Sequence, residues 1–563
     1  MDKRTFLAIV LSLAVIFVYQ AFFVKPVPQR KPAATPPPQT GLTQPDRTAS
    51  APPPSPAATS APPVAPLPAV RAAAVAERDV TVETPLYTAV LTTRGGALKS
   101  FQLKGYRTEL PEDRRYGFDG LLALVGFKKK EEKPALPVEL VHVQEGMPRP
   151  LTVSFPDSSL PLPAEGGFTT GTTALDLTTG TEGRPLVFTQ ILPGTARVEK
   201  IYTFRPDRYV VDLEVRVRNL SGNPLNQHAA LNWRRYVDPK AETDRYGNEG
   251  PVTYVAKSID RIEVKKIERE KIHGPDVSWG GFESKYFLAA MIPQNPSLSS
   301  VAIDRDTRDM VTVSLRGANT IIPAGQSGSF VYSVYLGPKD YTILEAQGVG
   351  LENAIDFGSW LKWLAFPLLI VLKFLYQYIP NYGIAIIILT ALIKLVFWPL
   401  GNKSYQSMKE MQKLQPKLKA LQEKYKDDKA KISQETMALY KAHKVNPLGG
   451  CLPMIIQIPV FFGLYKALLY AIELRHSPFF WWIQDLSARD PYFITPLIMG
   501  ATMFIQQKMS PAPGDPMQAK LMLWMPVIFT FLFLYFPSGL VIYWLFNNLF
   551  SIGQQYYINQ RST

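Results

Sequence analysis

Residues 381–400, NYGIAIIILTALIKLVFWPL, constrain this chain more than any other stretch. Twenty nearly unbroken apolar residues match the thickness of a bilayer core when coiled as a helix. Only Lys394 interrupts the run with a charge. A charged side chain at the centre of a spanning helix costs about 2.5–3.5 kcal/mol on insertion scales, so it faces protein or water when it is retained. Thr390 lies one helical turn earlier on the same face. Two readings of Lys394 are open at this point. It can snorkel, because Leu400 is only six residues away, roughly 9 Å of helix, and a lysine stem covers much of that distance. Or it can point into a hydrated space inside a helical bundle.

The rest of the 563-residue chain is uneven. Its last third carries long apolar runs and its middle does not, so several domains are expected. The formal net charge is +14. In a chain with spans, excess Lys and Arg first mark cytoplasmic loops and only second a nucleic-acid partner, and no DNA partner is expected. Cys451 is the single cysteine, which excludes an internal disulfide and a cysteine metal cluster. His142, His228, His273, His443 and His476 are scattered, with no HExxH pair. There is no GxSxG, P-loop or GxGxxG pattern. No metal or cofactor is expected, and ATP-driven transport and serine hydrolysis are disfavoured.

Taken in order, residues 1–24 begin MDKR and continue almost wholly apolar, with no small-residue cleavage site before Lys25 and Pro26. This reads as a retained signal anchor with its N-terminus in the cytoplasm. Residues 25–75 are rich in Pro, Ala, Ser and Thr and read as a spacer. Residues 76–348 read as a large antiparallel β-sandwich. Val211, Leu213, Val215 and Val217 alternate with Asp212, Glu214, Arg216 and Arg218, and FVYSVYL at 330–336 is a second strand. Gly95-Gly96 and Ser221-Gly222 are turn pairs. Carboxylates on such strands are mostly solvated faces, so a catalytic pair is not expected.

Residues 355–379 hold Trp360, Trp363 and Phe366, with Lys362, Lys373 and an interrupting Pro367. An amphipathic helix in the outer interface fits the span count better than another crossing. After the span at 381–400, residues 401–446 read as a lysine-rich helical hairpin. Met411, Leu414, Leu418, Leu421 and Tyr425 form one apolar stripe, and Asp427-Asp428 break and cap. Its lysines, Lys417 and Lys424 among them, place it in the cytoplasm. Topology alone explains that charge, and a docking surface for ribosomal RNA or anionic headgroups is the sharper alternative. Further spans are expected at 448–474, 491–508, 521–536 and 538–558. An outer loop joins them at 475–490 and a cytoplasmic loop at 509–520. The total is six spans with both termini inside.

Lys394, Thr390, Gln457, Gln507 and Asn547 fall on four of these spans, mostly in the cytoplasmic half. One amide in a span is commonly an interhelical hydrogen bond, but several together with a lysine favour a shared hydrated cavity.

The runs LQPKLKALQEKYKDDKAKISQETMALYKAHKVNPLGGC, SPFFWWIQDLSARDPYFITPLIMGATMFIQQKMSP and MPVIFTFLFLYFPSGLVIYWLFNNLFSIGQQ closely resemble the YidC/Oxa/Alb family of membrane protein insertases. The strong resemblance covers about residues 357–560. The order of anchor, spacer and β domain is similar to the Gram-negative form, whose β domain is a periplasmic supersandwich related in fold to mutarotase-like domains. The resemblance implies an inner-membrane insertase and chaperone, not an enzyme. Its five-helix core holds a hydrophilic groove open to cytoplasm and lipid. The implied partners are nascent membrane proteins, the Sec translocon, the lipid bilayer, and the ribosome and targeting machinery through the hairpin. The family usually has arginine where this chain has Lys394, which keeps the charge but loses the planar fork. Trp544 matches an aromatic groove position, and Thr390 and Gln507 match polar ones. A small-solute or ion transporter would predict inverted repeats, and none is seen. A membrane-anchored periplasmic sugar enzyme would need a catalytic carboxylate or His set in the β domain.

Overall fold

The computed structural model describes residues 76–110, 134–143, 146–159, 165–238, 247–307, 309–358, 361–425, 428–443, 445, 452–509 and 516–561. The expected anchor at 1–24, the spacer at 25–75, Trp360, Asp427 and Cys451 lie outside the described residues.

Strands fill the described chain from Asp79 to Pro338 and form three sheets. The largest has eight strands in the spatial order Ser258–Arg261, Gly250–Val255, Val277–Glu283, Phe287–Pro293, Ser327–Pro338, Val210–Asn219, Ala196–Phe204 and Arg184–Leu192. A five-stranded sheet runs Lys271–His273, Ser300–Arg305, Met310–Ile322, Leu225–Tyr236 and Thr152–Ser154. A second five-stranded sheet runs Pro137–Glu139, Ala97–Arg107, Tyr87–Thr92, Asp79–Glu83 and Ala174–Asp176. Pairing is antiparallel except where Asp79–Glu83 meets Ala174–Asp176. Val211, Leu213, Val215 and Val217 all point into the core, while Glu214 accepts from Arg216 on the opposite face. The alternating pattern therefore reports a half-buried strand as expected.

One polar group lies inside this core. Lys200 is fully buried, and its Nζ donates to the carbonyls of Gly95 (3.0 Å), Gly96 (2.6 Å) and Leu151 (2.6 Å). Three carbonyl oxygens use all three ammonium hydrogens. Gly95 and Gly96 have φ of +72° and +50°, which is how their carbonyls can turn toward one point.

The remainder is helical: α1 (Lys362–Tyr378), α2 (Tyr382–Val396), α3 (Trp398–Lys413), α4 (Gln415–Lys424), α5 (Lys429–Ala442), α6 (Leu452–Tyr470), α7 (Ile494–Met509), α8 (Pro516–Phe533) and α9 (Ser538–Arg561). Among the described residues no single helix is long and apolar enough to cross a membrane. The α2–α3 pair meets that test jointly, bent by 65°.

Several boundaries depart from the sequence reading. The helix expected over 381–400 stops at Val396, and a new one starts at Trp398. Pro399 lies in the first turn of α3, where its missing N–H costs nothing, so the bend falls just ahead of it. The apolar stripe Met411–Tyr425 is divided at Leu414, with Pro416 opening α4 in the same way, and Leu414 and Leu418 are its buried members. Asp428 does cap α5, accepting from Lys431 N at 2.9 Å. Conversely, α1 runs straight through Pro367. It packs on α6, where Gly463 lets Leu364 come close, and this tertiary contact offsets the lost backbone bond.

Candidate functional site

The start of α2 is fixed by Asn381, whose Oδ1 accepts from Ile384 N (3.1 Å) while its Nδ2 donates to Phe479 O (3.0 Å). Gly383 allows the Phe479 ring onto the helix, since a Cβ there would lie 2.0 Å from the ring. This anchors α2 to the loop after α6. The same loop meets the turn before α9: Ser538 N and Oγ both donate to Ala488 O (2.7 and 2.8 Å), and Gly539 N donates to Leu486 O (2.9 Å). Asp490, fully buried, accepts from Tyr492 N, Thr495 N and Thr495 Oγ1. This end of the bundle is closed by backbone and carboxylate hydrogen bonds.

At the opposite end the bundle is polar. Helix α9 packs on α2 and α7 and also touches α3 and α6. Lys394, half-buried on α2, donates from Nζ to Ser551 Oγ on α9 at 2.7 Å. Ser551 Oγ donates in turn to Asn547 O (2.7 Å), one turn back on α9. Asn547 Oδ1 accepts from Gln457 Nε2 on α6 (2.6 Å). Gln457 also hydrogen-bonds Tyr543. A run of polar residues therefore extends from Lys394 through Ser551 and Asn547 to Gln457 across three helices, with Ser551 on the Asn547 carbonyl and Gln457 on its side chain. Further along α9, Gln554 Nε2 donates to Trp398 O and Asn402 Oδ1, and Gln555 Nε2 donates to Met509 O.

The other expected site residues stand differently. Thr390 is buried, and its hydroxyl turns back to Ile386 O on its own helix (2.6 Å), so it does not join the chain. Gln507 is half-buried on α7 with no side-chain partner among the described residues. Trp544 packs edge-on to Phe461 (4.7 Å between centroids) and against Phe529 and Phe533, and its indole N–H has no partner among the described residues. Lys417 and Lys424 are exposed. Lys417 Nζ lies 3.2 Å from His443 Nε2, joining α4 to the end of α5, and Lys424 sits over the Tyr425 ring. Sequence reasoning missed Ser551 and Gln554. The available signal was the 3,4,3 spacing of Trp544, Asn547, Ser551 and Gln554, one face of α9.

Among the described residues no group of His, Cys, Asp or Glu could hold a metal ion. A cavity of about 300 Å³ lies in the β-rich section, bordered by Arg235, Glu249, His142 and Phe282 and reached by Arg475 from the loop after α6. Burial holds the Arg235 guanidinium below its ordinary pKa, opposed by the charge of Glu249.

A family model described as 60Kd inner membrane protein matches residues 374–563, and one described as YidC periplasmic domain matches residues 121–371. The chain is 61% identical to a membrane protein insertase YidC of Syntrophus aciditrophicus over the full length of both, and 42% identical to that of Geobacter metallireducens, covering 100% of this chain and 98% of the relative. Among solved structures it is similar to an active YidC insertase with its first transmembrane domain resolved, at 20% identity and a TM-score of 0.37, covering 86% of this chain and 93% of the other. The chain belongs to the YidC family of membrane protein insertases.

Proposed function

We propose that this chain inserts nascent inner-membrane proteins into the bilayer and assists their folding, by itself or beside the Sec translocon. The full-length identity to named insertases favours this over a solute transporter or a periplasmic sugar enzyme. The observation that carries this reading is the hydrogen bond from the Lys394 ammonium to Ser551 of α9, which directs the side chain toward a neighbouring helix. Lys394, Gln457, Gln507 and Trp544 line the groove in this reading, and Thr390, buried and bonded to its own helix, supports the wall from behind. The loop contacts at the Asp490 and Ser538 end close it outward.

In this reading a hydrophilic segment of the substrate enters the groove from the cytoplasm. Attraction to a positive charge is stronger where water is scarce, because the effective dielectric is lower. The neighbouring apolar segment partitions into lipid along the bundle, and its burial drives the step at about 25 cal/mol per Å² of apolar surface. No nucleotide is needed. Six spans would put both termini and the α3–α5 region in the cytoplasm, with the β-rich section in the periplasm. The exposed lysines of α4 would then contact the ribosome or targeting machinery.

Reconstitution of the purified chain in liposomes tests this. Insertion of a short membrane protein, scored by protease protection, should depend on the chain and proceed without ATP. Equal insertion into empty liposomes would refute it.

A further inference from the structure

We infer that Ser551 is the positioning residue for the groove charge: its hydroxyl holds the Lys394 ammonium inside the bundle, where a substrate carboxylate reaches its remaining hydrogens during insertion. This rests on the reading of Lys394 as the groove charge.

A lysine six residues from the end of an apolar run is free to extend toward the membrane surface, and its four-carbon stem makes that inexpensive. Something must hold it back. The hydroxyl of Ser551 has one hydrogen, and that hydrogen is committed to Asn547 O, one turn earlier on the same helix. Only lone pairs remain to face α2, so toward Lys394 the serine can act only as an acceptor, which is what the 2.7 Å contact from Nζ requires. The Asn547 carbonyl belongs to the α9 backbone, so the helix itself holds the serine in this orientation. Ser551 Oγ is the one side-chain acceptor that Lys394 has among the described residues, leaving two of its three ammonium hydrogens for an incoming chain. A neutral acceptor suits this task. A carboxylate in its place would neutralise the ammonium in an ion pair, whereas a hydroxyl positions it and leaves its charge for a substrate carboxylate, since hydrogen bonds between ionised partners are the stronger ones.

The test uses the full chain in liposomes and two substrates with the same apolar segment, one with an acidic and one with a neutral hydrophilic tail. The readout is the ratio of their insertion rates. Ser551→Ala should lower that ratio about ten-fold, the scale of one hydrogen bond to a charged group, because the acidic-tail rate falls further than the neutral-tail rate. Ser551→Thr should restore it, because threonine makes the same bond to the carbonyl one turn back. If Ser551→Ala matches the parent while Lys394→Ala lowers the ratio, the role of Ser551 is overturned and the groove charge stands. If Lys394→Ala leaves the ratio unchanged, the groove charge itself fails. A rise in the ratio, or an equal loss for both tails with a lowered melting temperature, would mean that Ser551 competes with substrate or merely packs, and either overturns the proposal.

Discussion

Asp356 and Lys466 tie the end of the β-rich section to helix α6: Oδ2 of the first lies 3.1 Å from Nζ of the second, although they stand 110 positions apart in the chain. Asp356 follows the last strand and precedes α1, so the pair locks the connection between the two sections rather than either one alone. Lys373 of α1 repeats the device, reaching Asp340 (3.1 Å) and Glu473 (2.9 Å). Both pairs are half-buried or better, where removing one partner leaves the other charge poorly solvated.

Asp356 gives the junction a pH dependence. Burial by itself would raise its pKa, but the charges of Lys466 and Arg261 outweigh it and hold the carboxyl below its usual value of 3.8. A carboxylate with a depressed folded-state pKa adds stability above its unfolded value, and that stability is lost as pH falls through the folded one. Asp356→Asn should therefore melt below the parent chain at pH 7, by about 1–3 kcal/mol. The gap should hold down to about pH 5 and close below about pH 4. Thermal melts in detergent across pH check this, and a gap independent of pH would show that Asp356 acts only through shape.

The placement of these pairs also sets where the β-rich section can be cut. Removal of residues 79–338 takes away every described strand but keeps Asp340 and Asp356. We expect that deletion to support insertion in depleted cells. Extending it to residue 357 removes Asp356, the partner of Lys466, and Asp340, one of two partners of Lys373, and should abolish insertion or accumulation. Loss of insertion with the shorter deletion at normal protein level would show that the strands themselves are needed.

Gly500 on α7 faces Thr530 on α8, and a Cβ there would lie 2.0 Å from Thr530 Oγ1. The helices touch because the residue has no side chain. Gly500→Ala should force them apart and cost about 1–3 kcal/mol. The second change Thr530→Ala removes the clashing oxygen and should recover much of the loss. Detergent melts of the single and double variants decide this. An unaltered single variant would mean that α8 shifts freely on α7.

What the sequence disclosed was what depends on local pattern. The period-two alternation of Val211, Leu213, Val215 and Val217 reported a strand, and the apolar run read from residue 381 begins where Asn381 caps α2. The division at Phe397 was less legible, because apolar residues run straight through it and only Pro399 signals a new helix. The pairing of Thr152–Ser154 with Leu225–Tyr236 joins strands about 80 residues apart, and nothing local announces it. At the site, Lys394 and Gln457 stood out as polar residues in apolar runs. Ser551 did not, because a small hydroxyl in a helix is commonly absorbed by its own backbone. Its importance comes from Lys394 arriving across 157 residues of chain.

Exposed lysines on α4 carry a separate prediction. Lys417 and Lys424 project from a helix whose buried stripe is Leu414 and Leu418. Photo-crosslinkers at 417 and 424 should capture ribosomal or targeting proteins on translating ribosomes, more weakly as salt rises, since screening shortens the reach of surface charge. Capture of lipid alone would leave topology as the whole reason for the charge.

The last prediction concerns the sign of the charge at position 394. If the ammonium attracts the hydrophilic part of a substrate, charge matters more than length. Lys394→Arg should keep insertion within a few-fold, because the guanidinium is also cationic. Lys394→Ala should slow acidic-tailed substrates about ten-fold or more, and Lys394→Glu should slow them further, since repulsion replaces attraction at a site where one unit charge at 4 Å is worth about 4 kcal/mol at an effective dielectric of 20. A lysine that merely reached the headgroups would tolerate neutralisation. Access separates the two cases independently of rate. In a chain with Cys451→Ser, Lys394→Cys should react with a water-soluble maleimide added from the cytoplasmic side, and Thr390→Cys should react far more slowly, because Thr390 is buried and turned toward its own helix. An inert cysteine at 394, together with normal insertion of every substrate by Lys394→Ala, would remove the groove charge from the mechanism.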